Sequence, residues 1–591
     1  MMKLKEISAS ILVLFFHGCI IASAARDVQS SQRRWLADNH VPDETSAGIR
    51  MSAQAQHSKP NIVFILTDDQ DVTMDAISPM TNTLNMLGKQ GMTFTNMFTS
   101  SPLCCPSRSS ILTGNYIHNH GAMNNSIQGN CSSVAWQQGP EKKTFATYLN
   151  KAGYRTFFAG KYLNQYGQKE VGGLAHIPPG WDDWIALKLN SVYYNYSLSV
   201  NGKEEVHGDD YHKDYLTDLI NNRSMEFLQK QSVSSPFFMM MSTPACHSPF
   251  DSAPQYMSHF TDKKAPRGPS FNVHSADKHW LIRRAANPMS NASITYLDDS
   301  FRKRWRTLLS VDDMVKNLVT LLTTKKMIDN TYIIFSSDNG FHLGQFSLPN
   351  DKRQLYEFDI RVPLIIRGPG ISPGTTSKQI AVNIDIMPTI VEMATGSAPS
   401  EVDGISLMPL LIARNESMAW RETVLIEHRG EGNTTNNPGC KDTVNLCIPP
   451  NTTNEITTVP WRQEILIEHT GEWKATGYRG CPHTEFLDTC YPSCVCEDAR
   501  NNTYTCVRTS TSQESYVYCN FADNENFQEF YNVTADPHQL TNTIHKLDPK
   551  FITSQNEKLI VLSMCKGPSC RQLIPPPPSP SSKHGNSIDG A

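Results

Sequence analysis

A chain of 591 residues is too long for one ordinary small domain and implies at least two packed units. Hydrophobic residues at 39% and charged residues at 19% fit a globular enzyme and exclude a disordered or fibrous chain. A formal net charge of -4 leaves no basic footprint for nucleic acid, although a single cleft can still be positive.

Residues 1–24 have the form of a signal peptide. Lys3 and Lys5 precede an apolar run at 11–16, and Ala22-Ser23-Ala24 supplies small residues for cleavage. That run is shorter than the roughly 18–20 residues of a membrane span, and no later run reaches that length. Residues 25–58 are polar and irregular, a disordered lead. The main unit, 59–400, opens with Asn61–Thr67, an apolar, β-rich run ending in Asp68-Asp69, which predicts a buried parallel strand. Helical patterns follow at 142–152 and 305–323. A second buried run, Thr331–Ser337, ends in Asp338-Asn339-Gly340. Ligands of open α/β sheets bind beyond the carboxyl ends of the strands, so these two oxygen-rich ends predict one shared site.

After about residue 400 the texture changes to sequons, cysteines and short strands, which predicts a smaller, disulfide-stapled unit at 401–570. Within it, Trp420-Arg421-Glu422-Thr423-Val424-Leu425-Ile426-Glu427-His428-Arg429-Gly430-Glu431 recurs at 461–472 as Trp461-Arg462-Gln463-Glu464-Ile465-Leu466-Ile467-Glu468-His469-Thr470-Gly471-Glu472. Two copies are too few for a solenoid. One copy is expected to be a strand of the smaller unit and the other an insertion. Residues 571–591, with the proline run at 575–580, are expected to be a disordered tail.

Export predicts glycans and disulfides. Asn-x-Ser/Thr sequons stand at Asn124, Asn130, Asn195, Asn222, Asn291, Asn415, Asn433, Asn451, Asn501 and Asn532. Of 15 cysteines, eight lie between Cys440 and Cys519, with Cys565 and Cys570 beyond, a pattern of disulfide staples. Cys494 and Cys496 could be half a zinc site, but no second pair completes one. Cys104 and Cys105 stand apart from that cluster.

Leu103-Cys104-Cys105-Pro106-Ser107-Arg108-Ser109-Ser110-Ile111-Leu112-Thr113-Gly114 resembles the signature of the sulfatase family, Cys-x-Pro-Ser-Arg with a following Thr-Gly. In that family a formylglycine-generating enzyme oxidises the first cysteine to formylglycine (3-oxoalanine) during secretion. The resemblance implies that Cys104 is the modified nucleophile and Arg108 the signature arginine. Hydrated formylglycine is a geminal diol: one oxygen attacks sulfur, and the other drives expulsion of sulfate by re-forming the aldehyde. A diol of this kind needs a cation to lower its pKa. The family's metal pattern implies Asp68, Asp69, Asp338 and Asn339, together with modified Cys104, as ligands. Hard oxygen donors suit one Ca²⁺, or Mg²⁺, and not zinc.

Charge spreading over the sulfuryl oxygens calls for fixed cations around them. Gly160-Lys161-Tyr162 resembles the family's Gly-Lys pair, and Lys352 stands before a Tyr-Glu pair like the family's, with Arg353 as its competitor. His247, in Thr243-Pro244-Ala245-Cys246-His247-Ser248-Pro249-Phe250, matches a family histidine and is expected to protonate the leaving alcohol. Many members carry a histidine two residues after the lysine, where this chain has Leu163. His118, His120 and His342 are the alternatives for taking the diol proton, with sugar contact a second role for His118 and His120.

Asn130-Cys131-Ser132, Phe157-Phe158-Ala159-Gly160-Lys161-Tyr162-Leu163-Asn164, His279-Trp280-Leu281-Ile282-Arg283, Arg302-Lys303-Arg304-Trp305 and Gly344-Gln345-Phe346-Ser347-Leu348-Pro349 are similar to the branch of the family that acts on glucosamine 6-sulfates. Leu163 is shared by that branch and the extracellular endosulfatases. The resemblance implies an alkaline-phosphatase-like α/β fold, a large mixed sheet flanked by helices, with a smaller C-terminal α+β domain. It also implies hydrolysis of the 6-O-sulfate of N-acetylglucosamine-6-sulfate in heparan and keratan sulfate, in the lysosome or after secretion. Endosulfatases carry a long basic insert that grips the polymer; here only short groups such as 303–306 occur, which favours an exo-acting enzyme. Another sulfated sugar, an arylsulfate, or non-catalytic binding of sulfated glycans are the alternatives.

Overall fold

Residues 61–67 are buried along their whole length because the strand they form has helices on both faces and a parallel neighbour on each edge. The computed structural model describes residues 59–283, 285, 287–412, 419–431, 497, 502–523 and 525–571. The expected signal segment, the lead to residue 58, the second copy at 461–472 and the tail from 572 lie outside these, as do Cys494, Cys496, Asn415, Asn433, Asn451 and Asn501.

Four parallel strands form the centre of a ten-stranded mixed sheet: β1 (Asn61–Thr67), β2 (Arg155–Lys161), β3 (Phe237–Ser242) and β4 (Thr331–Ser337), in the order β4-β1-β3-β2. Beyond β4 lie Leu364–Arg367, Met92–Phe94 and Thr375–Ser377; beyond β2 lie Asp183–Leu187, Ser197–Val200 and Lys203–Val206. Alternation along the strands divides the core. Phe64, Phe158, Phe238 and Ile334 face one layer with Ile111, Leu112, Ile386 and Ile390. Val63, Ala159, Met239 and Ile333 face the other with Leu219, Leu308, Val311 and Leu318.

The helices that matter for the site are α1 (Cys104–Thr113), on the first face, and α2 (Asn291–Thr324), on the second. The helix expected at 305–323 is therefore the C-terminal part of a 34-residue one, which begins at a Ser290 cap. The pattern at 142–152 resolves into a 3-10 turn at Pro140–Lys143 and a helix at Phe145–Lys151.

A second, antiparallel sheet holds β5 (Thr423–His428), β6 (Tyr504–Ser510), β7 (Ser515–Phe521) and β8 (Gln528–Asn532), in that order, with the helix Pro549–Ser563 against it. The first copy of the duplicated segment supplies the edge strand β5. The core of this sheet runs on into the main unit through Phe98, Tyr116, Phe346 and Tyr356.

Three disulfides occur among the described residues: Cys105–Cys131, Cys506–Cys519 and Cys565–Cys570. The first accounts for Cys105, which faces the apolar core while Cys104 stays a free thiol. Among the sequons, Asn195, Asn222 and Asn291 are exposed, whereas Asn124, Asn130 and Asn532 are half-buried. No described helix is long and apolar enough to cross a membrane.

The Cys105–Cys131 bridge closes a separation of 26 residues, which in the chain-entropy picture stabilises the fold by about 3–4 kcal/mol. Cys131→Ala is expected to lower the thermal unfolding midpoint by about 3 °C in a chain of this size, read by differential scanning calorimetry.

Candidate active site

β1 and β4 run in register to their last residues, Thr67 opposite Ser337, so Asp68-Asp69 and Asp338-Asn339 emerge side by side. One oxygen from each of Asp68, Asp69 and Asp338 lies within 4.8 Å of the others. The Asp69 amide N–H donates to Asp338 Oδ1 at 3.0 Å, and Asn339 Nδ2 donates to Asp69 Oδ1 at 2.7 Å. Asp69 itself has φ 64°, a left-handed conformation that a non-glycine residue adopts only when held there.

Cys104 is the first residue of α1, at the positive end of the helix. Its Sγ lies 3.7 Å from Asp68 Oδ1 and 4.0 Å from Asp69 Oδ1. In this structure the side chain is the unmodified thiol, the precursor of any oxidised form. Burial pushes that thiol up to about 12, so it is protonated and a poor nucleophile at physiological pH.

Three buried cations meet the three carboxylates one to one. Lys161, the last residue of β2, donates to Asp68 Oδ2 at 2.6 Å; Lys352 donates to Asp69 Oδ2 at 2.8 Å; Arg108 Nε, one turn along α1, donates to Asp338 Oδ2 at 2.8 Å. Arg108 Nη2 makes no hydrogen bond and lies 3.6 Å from Asp68 Oδ1, while Nη1 reaches Ser242 Oγ at 2.8 Å. Gly160 makes the approach of β2 to β3 possible, because a Cβ there would stand 1.7 Å from the Ser242 carbonyl oxygen. Burial alone would raise the Asp68 carboxyl, but the charged Lys161, Arg108 and Lys352 hold it well below the usual range.

His247 follows β3. Its Nδ1 lies 2.5 Å from the Ser248 carbonyl, which can only accept, so Nδ1 carries the proton and Nε2 faces Asp69 Oδ2 at 3.8 Å. Burial keeps the ring neutral, at about 3. The Cys104, Asp68 and His247 donor atoms lie within 4.8 Å of one another.

The other three histidines bond elsewhere in this structure. His118 bonds Glu427 and the Cys565 carbonyl, each at 2.9 Å, tying α1's flank to the second sheet. His120 meets Ser110 Oγ at 3.0 Å and accepts from the Ala122 amide. His342 sits between Asp359 and Glu497 at 3.0 Å each; burial opposes its charge, but the two carboxylates push it up to about 10. Each ring is fixed at both nitrogens by scaffold partners. Leu163 lies in the apolar core. Lys352 and its competitor Arg353 also separate: Lys352 turns to Asp69, Arg353 outward to Glu431 at 2.7 Å.

Sequence reading missed two participants. Ser191 Oγ donates to Asp68 Oδ2, and Arg304 of α2 donates to the Asp69 carbonyl at 2.8 Å. Nothing in the local pattern marks Ser191. Arg304 stands in a segment that carries the family resemblance but no sign of this contact.

Comparison with known proteins gives this constellation a family. The sulfatase family profile matches residues 60–397. The chain belongs to the sulfatase family. It is 48% identical over 526 residues to the N-acetylglucosamine-6-sulfatase of Capra hircus, covering 88% of this chain and 87% of that one. The Homo sapiens N-acetylglucosamine-6-sulfatase is 48% identical over 515 residues, 87% and 86% of the two chains. Among solved structures, a protein in complex with its substrate D-glucosamine-2-N,6-O-disulfate superposes with a TM-score of 0.63 at 22% identity, over 85% of this chain and 97% of that one. This chain is a sulfuric ester hydrolase with the sulfatase α/β fold.

The two classes of histidine should part under substitution. His247→Ala is expected to lower kcat for sulfate release by about 10²-fold or more. His120→Gln, remote in its bonding from Cys104, is expected to stay within about threefold, both read by ion chromatography of released sulfate.

Proposed function

We propose that this sulfatase removes the 6-O-sulfate from N-acetylglucosamine-6-sulfate at the non-reducing ends of heparan and keratan sulfate, with formylglycine at position 104 as nucleophile. The observation that carries the reading is the buried cluster itself, in which Cys104 faces carboxylates neutralised by three cations. The goat and human relatives, N-acetylglucosamine-6-sulfatases at 48% identity over nearly the whole chain, support the sugar.

A divalent cation fits the residues present. Asn339 Oδ1 is buried without a hydrogen-bond partner, beside three carboxylates within 4.8 Å, an all-oxygen donor set of the kind Ca²⁺ takes. Asp68, Asp69, Asp338 and Asn339 would hold it, next to residue 104. Once bound, it would supply Lewis acidity to the nucleophile and to a sulfate oxygen.

The chain's own residues do the rest. Three carboxylates and three cations leave the cluster neutral, so a dication makes it positive, the sign needed for a sulfate ester. Lys161, Lys352 and Arg108, all fixed by ion pairs before substrate arrives, stabilise charge on the sulfuryl oxygens without reorganising. His247, neutral with its proton on Nδ1, would take the proton of the attacking hydroxyl at Nε2 and return that proton to the leaving alcohol. Because the cations are already in place, the cost of orienting them falls on folding and not on turnover.

We assign the protein to the secretory pathway, with lysosomal residence as the specific expectation, on the signal-like residues 1–24, the sequons and the disulfides. The formylglycine-generating enzyme is then its maturation partner and a sulfated glycosaminoglycan its substrate.

The test is sulfate release from a heparan oligosaccharide ending in N-acetylglucosamine-6-sulfate, alongside one sulfated only internally. Release from the terminal sugar alone, abolished in Cys104→Ala, is the expected outcome; equal release from both would make the enzyme endo-acting and overturn the exo reading. For the cation, Ca²⁺ added at about 100 times its Kd to metal-stripped protein should stabilise the fold by about 2.7 kcal/mol. Asp338→Asn should shrink that gain, measured by thermal unfolding.

A further inference from the structure

We infer that Arg304 is the positioning residue that sets the cation site, by clamping together the loops that leave β1, β3 and β4. The inference rests on the cation reading above. Arg304 is fully buried in the middle of α2, on the side of the sheet opposite α1. Its Nη2 donates to the Asp69 carbonyl and to Asp71 Oδ1, each at 2.8 Å, and Nη1 donates to the Cys246 carbonyl at 3.4 Å. Its guanidinium lies 4.1 Å from the ring centre of Phe341. One side chain thus touches the β1 loop at Asp69 and Asp71, the β3 loop beside His247, and the β4 loop just past Asn339.

Stability alone does not account for such a residue. A buried ion pair is commonly no better than an apolar pair of the same shape. Here the guanidinium does what no apolar group can: it satisfies two buried main-chain carbonyls at fixed separation. Asp69 is the focus. Its left-handed backbone is held by Asp338 accepting its N–H and Arg304 donating to its carbonyl. Loss of the second hold lets the peptide rotate, and the Asp69 carboxylate moves relative to Asp68 and Asp338. Asp71 in turn fixes Arg304, its other oxygen taken by the Met74 amide at 2.6 Å.

A lysine offers one point of donation where the planar guanidinium offers a fork, so Arg304→Lys should fold and keep part of the clamp, and Arg304→Met should lose it. Leu308→Ala, in the apolar core one turn along the same helix, is the control for plain destabilisation. Calcium affinity would be measured by titration calorimetry on metal-stripped full-length protein, with kcat and KM per mole of formylglycine counted by peptide mass. The expected result is calcium affinity weakened about tenfold or more in Arg304→Lys, the loss typical of groups that orient metal ligands. Arg304→Met should be weaker still, kcat should recover in part at saturating Ca²⁺, and Leu308→Ala should keep wild-type affinity despite a lower unfolding midpoint. Wild-type affinity and kcat/KM in Arg304→Lys would overturn the inference, as would equal weakening in Leu308→Ala or a wild type that binds no Ca²⁺. A wild type that binds Ca²⁺ but leaves N-acetylglucosamine-6-sulfate intact removes the proposed substrate, while the calcium titrations still decide the role of Arg304.

Discussion

Everything at this site depends on the neutralisation of three buried carboxylates by three buried cations. A lone ion taken out of water costs several kcal/mol even after relaxation, so none of the six is tolerable without its partner. The pairs join different parts of the sheet: Lys161 at the end of β2 with Asp68 at the end of β1, Arg108 on α1 with Asp338 at the end of β4, and Lys352 on a long loop with Asp69. The pairing exists only when β1, β2, β3 and β4 hold their register, with Leu66 opposite Ser242, Ser242 opposite Gly160 and Thr67 opposite Ser337. A one-residue slip would turn a strand's apolar residues to the wrong face and carry its charge out of reach. Fold and site therefore specify one another.

The second sheet extends this logic outward. Lys352 lies on a loop without regular structure of its own, and the loop is held from behind. Arg353 bonds Glu431, just after β5; Tyr504 of β6 donates to the Arg353 carbonyl at 3.0 Å; His342 bridges Asp359 and Glu497. Glu431 also accepts from the Asn125 amide, and Asn125 Oδ1 accepts from the Cys105 amide at 2.9 Å. A continuous path of bonds thus runs from the residue after Cys104, through the edge of the second sheet, to the residue after Lys352. The smaller sheet contributes no member of the central charge cluster, yet it fixes the direction in which one of its cations points.

Legibility in the sequence divides along the same line. Asp68-Asp69 and Asp338-Asn339 were legible because buried parallel strands appear as uninterrupted apolar runs, and the residues just after such runs must lie at the sheet's carboxyl edge. Cys104, Arg108, Lys161, His247 and Lys352 were expected together through family resemblance, and the structure places all five around the same carboxylates. For the other histidines, nearness to a motif says nothing of the ring's direction: His118 and His120 follow α1 closely in sequence but bond Glu427, Cys565, Ser110 and Ala122. Arg304 and the Cys105–Cys131 bridge were illegible for a different reason. Their partners are set by packing between segments remote in the chain, and no local pattern encodes that.

The duplicated segment shows how such remote demands do leave a trace. In the first copy, Trp420 Nε1 donates to the Ile380 carbonyl, Arg421 pairs with Asp385, Glu427 receives His118, and Glu431 holds Arg353. Every one of these residues is repeated, as Trp461, Arg462, Glu468 and Glu472, and so is buried His428, as His469. The copies differ at Glu422 and Arg429, which are exposed, and at Thr423, which is half-buried. The one difference at a buried position is Val424 for Ile465, a change of a single methylene. Trp420, Arg421 and Glu431 lie outside β5, and within it a strand places no special demand for a glutamate at 427. In the first copy these four residues serve long-range contacts and not the strand's own bonding, so the segment carries in its sequence the shape and charge of the slot that β5 fills.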